Sequence, residues 1–256
     1  MQTTIDNAFD RVSSTEGAIT LLHKFAKVQN MELDLEAKHQ QVFSLYLKRD
    51  LEGIRKLYQK YKDSPPIPRN QPPVSGAIAW ARQLYKRVET PMLFFKDHTN
   101  VLDGAEAKKH IKNYNKLLKA LIDFEILYYR AWCDIVDQAR SGLQATVLVA
   151  NADGQIFVNF DPQVVQLIKE TRALQRLGLE MPEAALAVAM QESEYKRAYV
   201  QLNYILQTRS RILSRLHPVL QAAVAPHVEA LDATLRPGLN VLTWYAPFCS
   251  FLLASL

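Results

Sequence analysis

Glycine is scarce in this 256-residue chain, with eight in total, where average usage of about 7% would give roughly eighteen. The closest two, Gly142 and Gly154, are twelve residues apart. Phosphate cradles need closely spaced glycines so that backbone N–H groups can approach the ligand, so a P-loop and a dinucleotide fingerprint are both excluded. Cysteine is scarcer still: Cys133 and Cys249 make no disulfide framework and fit a reducing compartment. The opening MQTTIDNAFD lacks the apolar core of a secretion signal. The six histidines, His23, His39, His98, His110, His217 and His227, include no pair at i, i+3 or i, i+4. Zinc sites need clustered Cys and His, so no metal is expected, and His217 and His227, which could meet across proline turns, read as solvated or capping side chains. Cys133 lies in an apolar helical stretch and reads as a buried, inert thiol; Cys249 follows a proline among apolar residues and has no better claim to be a nucleophile. The carboxylate pairs Glu192/Glu194 and Asp134/Asp137 read as solvated helix faces. Taken together, these absences leave no constellation for an enzyme and no cofactor.

What is present favours helices. The chain is 48% hydrophobic and 22% charged, which suits a folded protein of one or two domains. Net charge is +5, and the excess is uneven: residues 1–150 hold 22 basic and 17 acidic residues, residues 151–256 nine of each. This mild bias permits an acidic partner without demanding nucleic acid.

From about Gly17 to Lys62 the pattern is helical, and Leu47, Leu51, Ile54, Tyr58 and Tyr61 fall on one stripe. Ser64-Pro65-Pro66-Ile67-Pro68 cannot continue a helix, and Pro72-Pro73 extends the break into about ten extended residues. A second helix is predicted just after Pro73, with Trp80, Leu84 and Val88 on one face and Pro91 as its end or kink. A third runs from about Gly104 to Ala139, with Leu117, Leu121, Phe124, Tyr128, Ala131 and Ile135 alternating spacings of four and three, close to a coiled-coil seam. The period then changes. Residues 145–150 are β-branched, Asp153-Gly154 is turn chemistry and 156–160 alternates, which predicts a β-hairpin packed on the helices. Asp161-Pro162 opens a helix that ends at Gly178, and Pro182 opens a long one to about Leu216. In that last helix Val188, Tyr195, Leu202 and Leu216 sit at multiples of seven, with Arg209 interrupting the series. Pro218, Pro226 and Pro237 are expected to divide the remainder into short pieces.

Two stretches carry more than core. Lys108, Lys109, Lys112, Lys116 and Lys119 form a basic face on the third helix, read either as solvated or as an electrostatic contact with an acidic protein or microtubule surface. The aromatics Phe124, Tyr128 and Trp132 point to the core instead. The nineteen residues from Gly238 to Leu256 carry no charge and approach the length of a membrane span, but Pro247 interrupts them and no basic flank follows.

Five blocks together resemble one family. Residues 65–84 (PPIPRNQPPVSGAIAWARQL) are similar to a block in the N-terminal tail of dynein heavy chains, and Val88-Glu89-Thr90-Pro91-Met92 to the segment that follows it there. Phe157-Val158-Asn159-Phe160-Asp161-Pro162, Leu177-Gly178-Leu179-Glu180-Met181-Pro182 and residues 235–244 (LRPGLNVLTW) resemble three more, in the same order and spacing from about Lys24 to Trp244. The wording is nearest the outer-arm, gamma-like axonemal type. After Trp244 the resemblance stops.

The resemblance implies a non-catalytic stem segment of a ciliary or flagellar motor, whose ATP-hydrolysing ring lies elsewhere. It implies dynein intermediate chains, light chains and other heavy chains as partners, the microtubule-based axoneme indirectly, no nucleic acid, and a place in the cytoplasm and the cytoskeleton of the cilium or flagellum. The expected fold is all-α: an elongated helical bundle with one short β-hairpin at about 145–160. Its segments would be 1–63 (N-terminal helices), 64–73 (proline-rich connector), 74–140 (helical hairpin), 141–160 (β-hairpin), 161–244 (C-terminal bundle) and 245–256 (divergent apolar tail). Trp80, Phe157, Phe160 and Trp244 are the expected packing centres, and the five lysines the expected partner contact. The alternatives are a helical adaptor without motor partners and a tail-anchored membrane protein using 238–256.

Overall fold

The computed structural model describes residues 2–27, 35–97, 101–103 and 105–245, and these are mostly helical. They fall into two compact units, Met1–Arg130 and Ala131–Leu256.

The first unit contains α1 (Gln2–Asp10), α2 (Thr15–Ala26), α3 (Leu35–Tyr46), α4 (Glu52–Tyr61), α5 (Pro73–Lys96) and most of α6 (Ala105–Ser141). Ser14 caps α2 by accepting from the Gly17 N–H at 3.1 Å. Between α3 and α4 the helix widens into a π-helical turn, Leu47–Leu51. The wider turn brings Asp50 inward, where Thr15 donates to its carboxylate and Arg87 stands 3.7 Å away. Leu51 and Ile54 of the expected stripe are buried, and Leu47, Tyr58 and Tyr61 pack against the core from its edge. The proline connector is less extended than expected. Pro68 and Gln71 close a turn (N–H to carbonyl, 3.0 Å), and Ile67 packs so tightly on the first turn of α5 that a Cβ at Gly76 would lie 2.4 Å from its Cγ2.

Pro91 does not end α5; the helix runs through it to Lys96. A proline removes one N–H from the helical ladder and so frees a carbonyl. Here Pro91, Met92 and Phe95 are buried, and the Tyr46 hydroxyl donates at 2.9 Å to the Val88 carbonyl, the one next to the carbonyl of Arg87 that Pro91 frees. Tertiary packing holds what local propensity would break. The core of this unit is aromatic. Trp80 stacks on Tyr58 (centroids 6.3 Å) and meets Phe124 edge-on (5.8 Å), while Phe43, Tyr46 and Phe95 form a second cluster.

The second unit carries the end of α6, a 3-10 turn (Gly142–Gln144), β1 (Leu148–Ala150), β2 (Ile156–Val158), α7 (Pro162–Arg176), α8 (Glu183–Met190), α9 (Glu192–Arg215) and α10 (Pro218–Asn240). The hairpin is antiparallel, with Val149 opposite Phe157. Its turn is built by the Asn151 side chain, which accepts from the Asp153 and Gln155 N–H groups. Asp161 caps α7 by accepting from the Gln163 N–H at 2.8 Å, and Gly178, at φ +76°, closes its C-terminus.

Three helical expectations are corrected. The buried line on α6 does not follow the coiled-coil seam. Past Leu117, Leu121 and Phe124 it passes through Trp132 and Val136, while Ala131 is exposed and Ile135 is 50% exposed. A straight helix has 3.6 residues per turn, so a 3.5-residue seam drifts off the buried side within two heptads. Cys133, beside that line, is half-buried rather than buried. The long helix opened by Pro182 is two helices, broken at Gln191, and the buried positions of the second are Tyr195, Ala198, Leu202 and Leu206. The heptad-breaking Arg209 makes a two-pronged bond to Asp232 of α10, with Nε to Oδ1 at 2.7 Å and Nη2 to Oδ2 at 2.8 Å. Finally, α10 runs unbroken through Pro226 and Pro237. Both prolines are exposed, so water can satisfy the carbonyls they free.

Candidate interaction surfaces

Three regions could do something beyond packing. The first is the junction on the hairpin. Gly238 of α10 lies against Leu148, so close that a Cβ there would be 2.8 Å from Leu148 Cδ1. The chain then adds a third, short antiparallel contact: the Val147 N–H donates to the Leu242 carbonyl at 2.9 Å, and Thr146 bridges Thr243. Trp244 is buried, its Nε1–H donating to the Asn159 carbonyl and its ring edge-on to Phe160 at 4.7 Å. Phe160 also touches Tyr195 and Tyr199 of α9. Phe157, expected as a packing centre, is 48% exposed. Strand residues alternate faces, so Ile156 and Val158 turn toward the unit and Phe157 away from it. Residues 238–244 are thereby committed to this junction, and no helix among the described residues is long and apolar enough to cross a membrane. Residues 246–256, with Cys249, lie outside the described residues.

The second region is a groove of about 490 Å³ between α7 and α9. Phe160, Val165, Ile168, Tyr195, Tyr199 and Val200 give it an apolar lining. At its rim Glu192 accepts from Lys196 at 2.6 Å and faces Arg172 at 3.4 Å; these cations, Lys196 first, hold its carboxyl below the usual carboxylate range. This pairing ties Glu192 to structure rather than leaving it as a free acid. The groove was not legible in the sequence. Tyr199 and Val200 stand off the buried stripe of α9, and that surplus of apolar residues is the signal that could have found it.

The third is the outward face of α6. Lys108, Lys109, Lys112, Lys116 and Lys119 are all exposed, and none has an ion-pair partner among the described residues. The opposite side carries the buried Tyr114, Leu117, Leu121 and Phe124. Burial, then the nearby Glu89 and Tyr85, pushes the Tyr114 hydroxyl up to about 12. Three turns farther along, Arg82 of α5 clamps Glu125 with bonds of 2.9 and 2.6 Å, and that pairing raises the guanidinium above its ordinary value. The lysine-bearing side of α6 is thus fixed outward by a well-packed inner side. Trp80, the remaining expected packing centre, sits in the aromatic cluster on α5.

Among the described residues no group of three or more His, Cys, Asp or Glu is placed to hold a metal ion. His23 and His39 flank the Phe94 ring, and His217 caps α10 by accepting from the Val219 N–H at 3.4 Å. His217 and His227 are both exposed. Asp134 and Asp137 lie exposed on α6.

Residues 1–249 match the family described as dynein heavy chain, N-terminal region 1. Among similar proteins, dynein axonemal heavy chain 5 of Mus musculus is 39% identical over 245 residues, covering 95% of this chain and 5% of that protein. The dynein gamma chain, flagellar outer arm, of Chlamydomonas reinhardtii is 38% identical over 248 residues, covering 95% and 6%. Dynein axonemal heavy chain 8 of Homo sapiens is 33% identical over 247 residues, covering 95% and 6%. The chain therefore spans about a twentieth of the length of these relatives.

Proposed function

The chain belongs to the dynein heavy chain family, as part of its N-terminal region, and from that premise we propose that it is a non-catalytic stem segment of a ciliary or flagellar dynein. In this reading it holds heavy chains together and offers docking surfaces to intermediate and light chains in the axoneme, at one remove from the microtubule. The observation that carries it is the family match across residues 1–249, beside relatives whose names are axonemal and flagellar. The build suits the role. Helices packed along their lengths, such as α5 on α6, pass load through many side-chain contacts at once, and a docked proline connector fixes the angle at which the chain re-enters a helix.

The test is a pull-down from ciliary extract with the 256-residue chain as bait, its folding checked first by circular dichroism. Recovery of axonemal dynein intermediate or heavy chains is the expected result. Recovery of no dynein subunit by a folded, helical bait would leave only shared ancestry and favour an adaptor without motor partners.

A further inference from the structure

The lysines of α6 do not stand alone, and what continues their line changes the partner they fit. Lys108, Lys112, Lys116, Lys119, Ile122 and Ile126 follow one another at spacings of four, four, three, three and four, which keeps all six on one side of a helix. Leu127 flanks the same side. Ile122 is 46% exposed, Ile126 40% and Leu127 65%, and with Leu93 they are the large apolar side chains this unit leaves most open among the described residues. The face is therefore basic over its first three turns and, apart from the exposed Asp123, apolar over the next two.

Neither half is explained by the fold of the unit. Between Glu106 and Asp123 there is no acidic residue, so Lys108, Lys112 and Lys116 have no carboxylate three or four positions away on their own helix, and Lys119 has only Asp123, one turn on. Lys108 and Lys109 also lie at the first turn of α6, where the positive end of the helix dipole disfavours cations. Solvation alone would be served as well by mixed charge. Isolated apolar residues are ordinary on a surface, but two isoleucines and a leucine within six positions on one helix side make a contiguous patch.

We propose that this face of α6 is a docking strip for an acidic amphipathic helix of a partner protein, which sets its carboxylates against Lys108, Lys112, Lys116 and Lys119 and its apolar side chains against Ile122, Ile126 and Leu127. The proposal deepens the stem reading and rests on it for the existence of a partner. Charge complementarity selects the acidic half. The apolar continuation on the same stripe selects a helix over a disordered acidic tail, because a helix presents side chains at the same three- and four-residue spacing as the strip. The acidic half speeds and steers encounter, and the desolvated apolar half slows release.

The test uses the full chain and two labelled synthetic peptides of 24 residues. Each has glutamates on one side over half its length and leucines on the same side over the other half, in opposite orders; polyglutamate of equal charge is the control. Binding is read by fluorescence anisotropy at two salt concentrations. One helical peptide is expected to bind about tenfold or more tighter than polyglutamate. The triple variant Lys108→Glu/Lys112→Glu/Lys116→Glu should lose most of that binding and most of its salt dependence. Ile126→Ser/Leu127→Ser should weaken it about tenfold with the salt dependence retained. All five positions are exposed, so both variants should keep the wild-type circular dichroism. Polyglutamate binding as tightly as either helix, with Ile126→Ser/Leu127→Ser without effect, would overturn the proposal in favour of a disordered acidic ligand. No binding of either helix at low salt would overturn it outright. Neither result touches the stem reading, which the recovery of dynein subunits decides separately.

Discussion

The two units solve the same problem with different materials. Met1–Arg130 is closed by aromatic rings that interlock in three dimensions: Trp80, Tyr58, Phe124 and Tyr128 in one cluster, Phe43, Tyr46 and Phe95 in another. Ala131–Leu256 relies on small aliphatic contacts along α7, α8 and α9 and, among its described residues, sets Phe160, Tyr195 and Trp244 together against the hairpin. The first unit keeps its exposed apolar residues largely to α6. The second spreads them over long helix faces, with Val200, Tyr204 and Ile212 on α9 and Val219 and Leu220 on α10. A ring cluster distributes its stabilisation over many neighbours, whereas a single junction concentrates it. The contrast yields predictions that 5-fluorotryptophan NMR can read directly, since Trp80 reports on one unit and Trp132 and Trp244 on the other.

The largest effect should come from Trp244→Ala. Losing a buried tryptophan together with its hydrogen bond costs roughly 3–5 kcal/mol, and at this aromatic junction it should unfold the second unit while the Trp80 resonance stays native. If both units lose their native signals together, they are not independent in stability and the comparison fails.

Alkali should separate the units in the opposite sense. Burial pushes the Tyr46 hydroxyl far up, and Tyr114 is raised to about 12, whereas the unfolded values stay near 10. A raised tyrosine leaves stability intact below the unfolded pKa. As pH climbs past 10 the unfolded chain ionises and the folded one does not, so stability falls. At pH 11 each of these two buried tyrosines should cost about 1 kcal/mol, and the Trp80 resonance should shift to its unfolded position at lower temperature than at pH 8. An unchanged midpoint for that resonance would sink this account.

Two glycines sharpen the comparison further. Gly238→Ala drives a methyl into the buried Leu148 and should destabilise the second unit by about 1–2 kcal/mol. Gly53, in the first turn of α4 where the π-helical turn runs straight into it, has nothing within 4 Å of where a Cβ would stand. Gly53→Ala should stabilise the first unit by about 0.5–1 kcal/mol through helix propensity alone. Thermal unfolding of each variant measures both signs; a destabilised Gly53→Ala would mean an unseen constraint on α4.

Much of this was readable from the chain. Period-3.6 stripes such as Leu51–Ile54 and Trp80–Leu84–Val88 are the direct imprint of a helix lying on a core, and Asp161-Pro162, Asp153-Gly154 and Gly178 are local devices whose geometry depends on their own side chains. Proline misled in both directions. Pro73 opened a helix as read, but Pro91, Pro226 and Pro237 stayed inside helices, because whether packing or water supports the interrupted ladder is not written within four residues of the proline. The heptad reading of α6 failed at Ala131 and Ile135 because two spacings half a residue apart diverge only over distance. Of the candidate surfaces, the lysine face was visible as sequence. Its apolar continuation, the α7/α9 groove and the exposure of Phe157 were not, since exposure is a property of what fails to pack on a residue.

The sequence by itself determined the helical class, the hairpin, the caps and the family, because each rests on residue types at short, countable separations. Only the tertiary structure decided which apolar residues are core and which are surface, where Asp50 and Arg209 find their partners, and that the segment ending at Trp244 closes the hairpin. Those outcomes depend on contacts between residues tens of positions apart, such as Asn159 with Trp244, whose pairing no local pattern specifies.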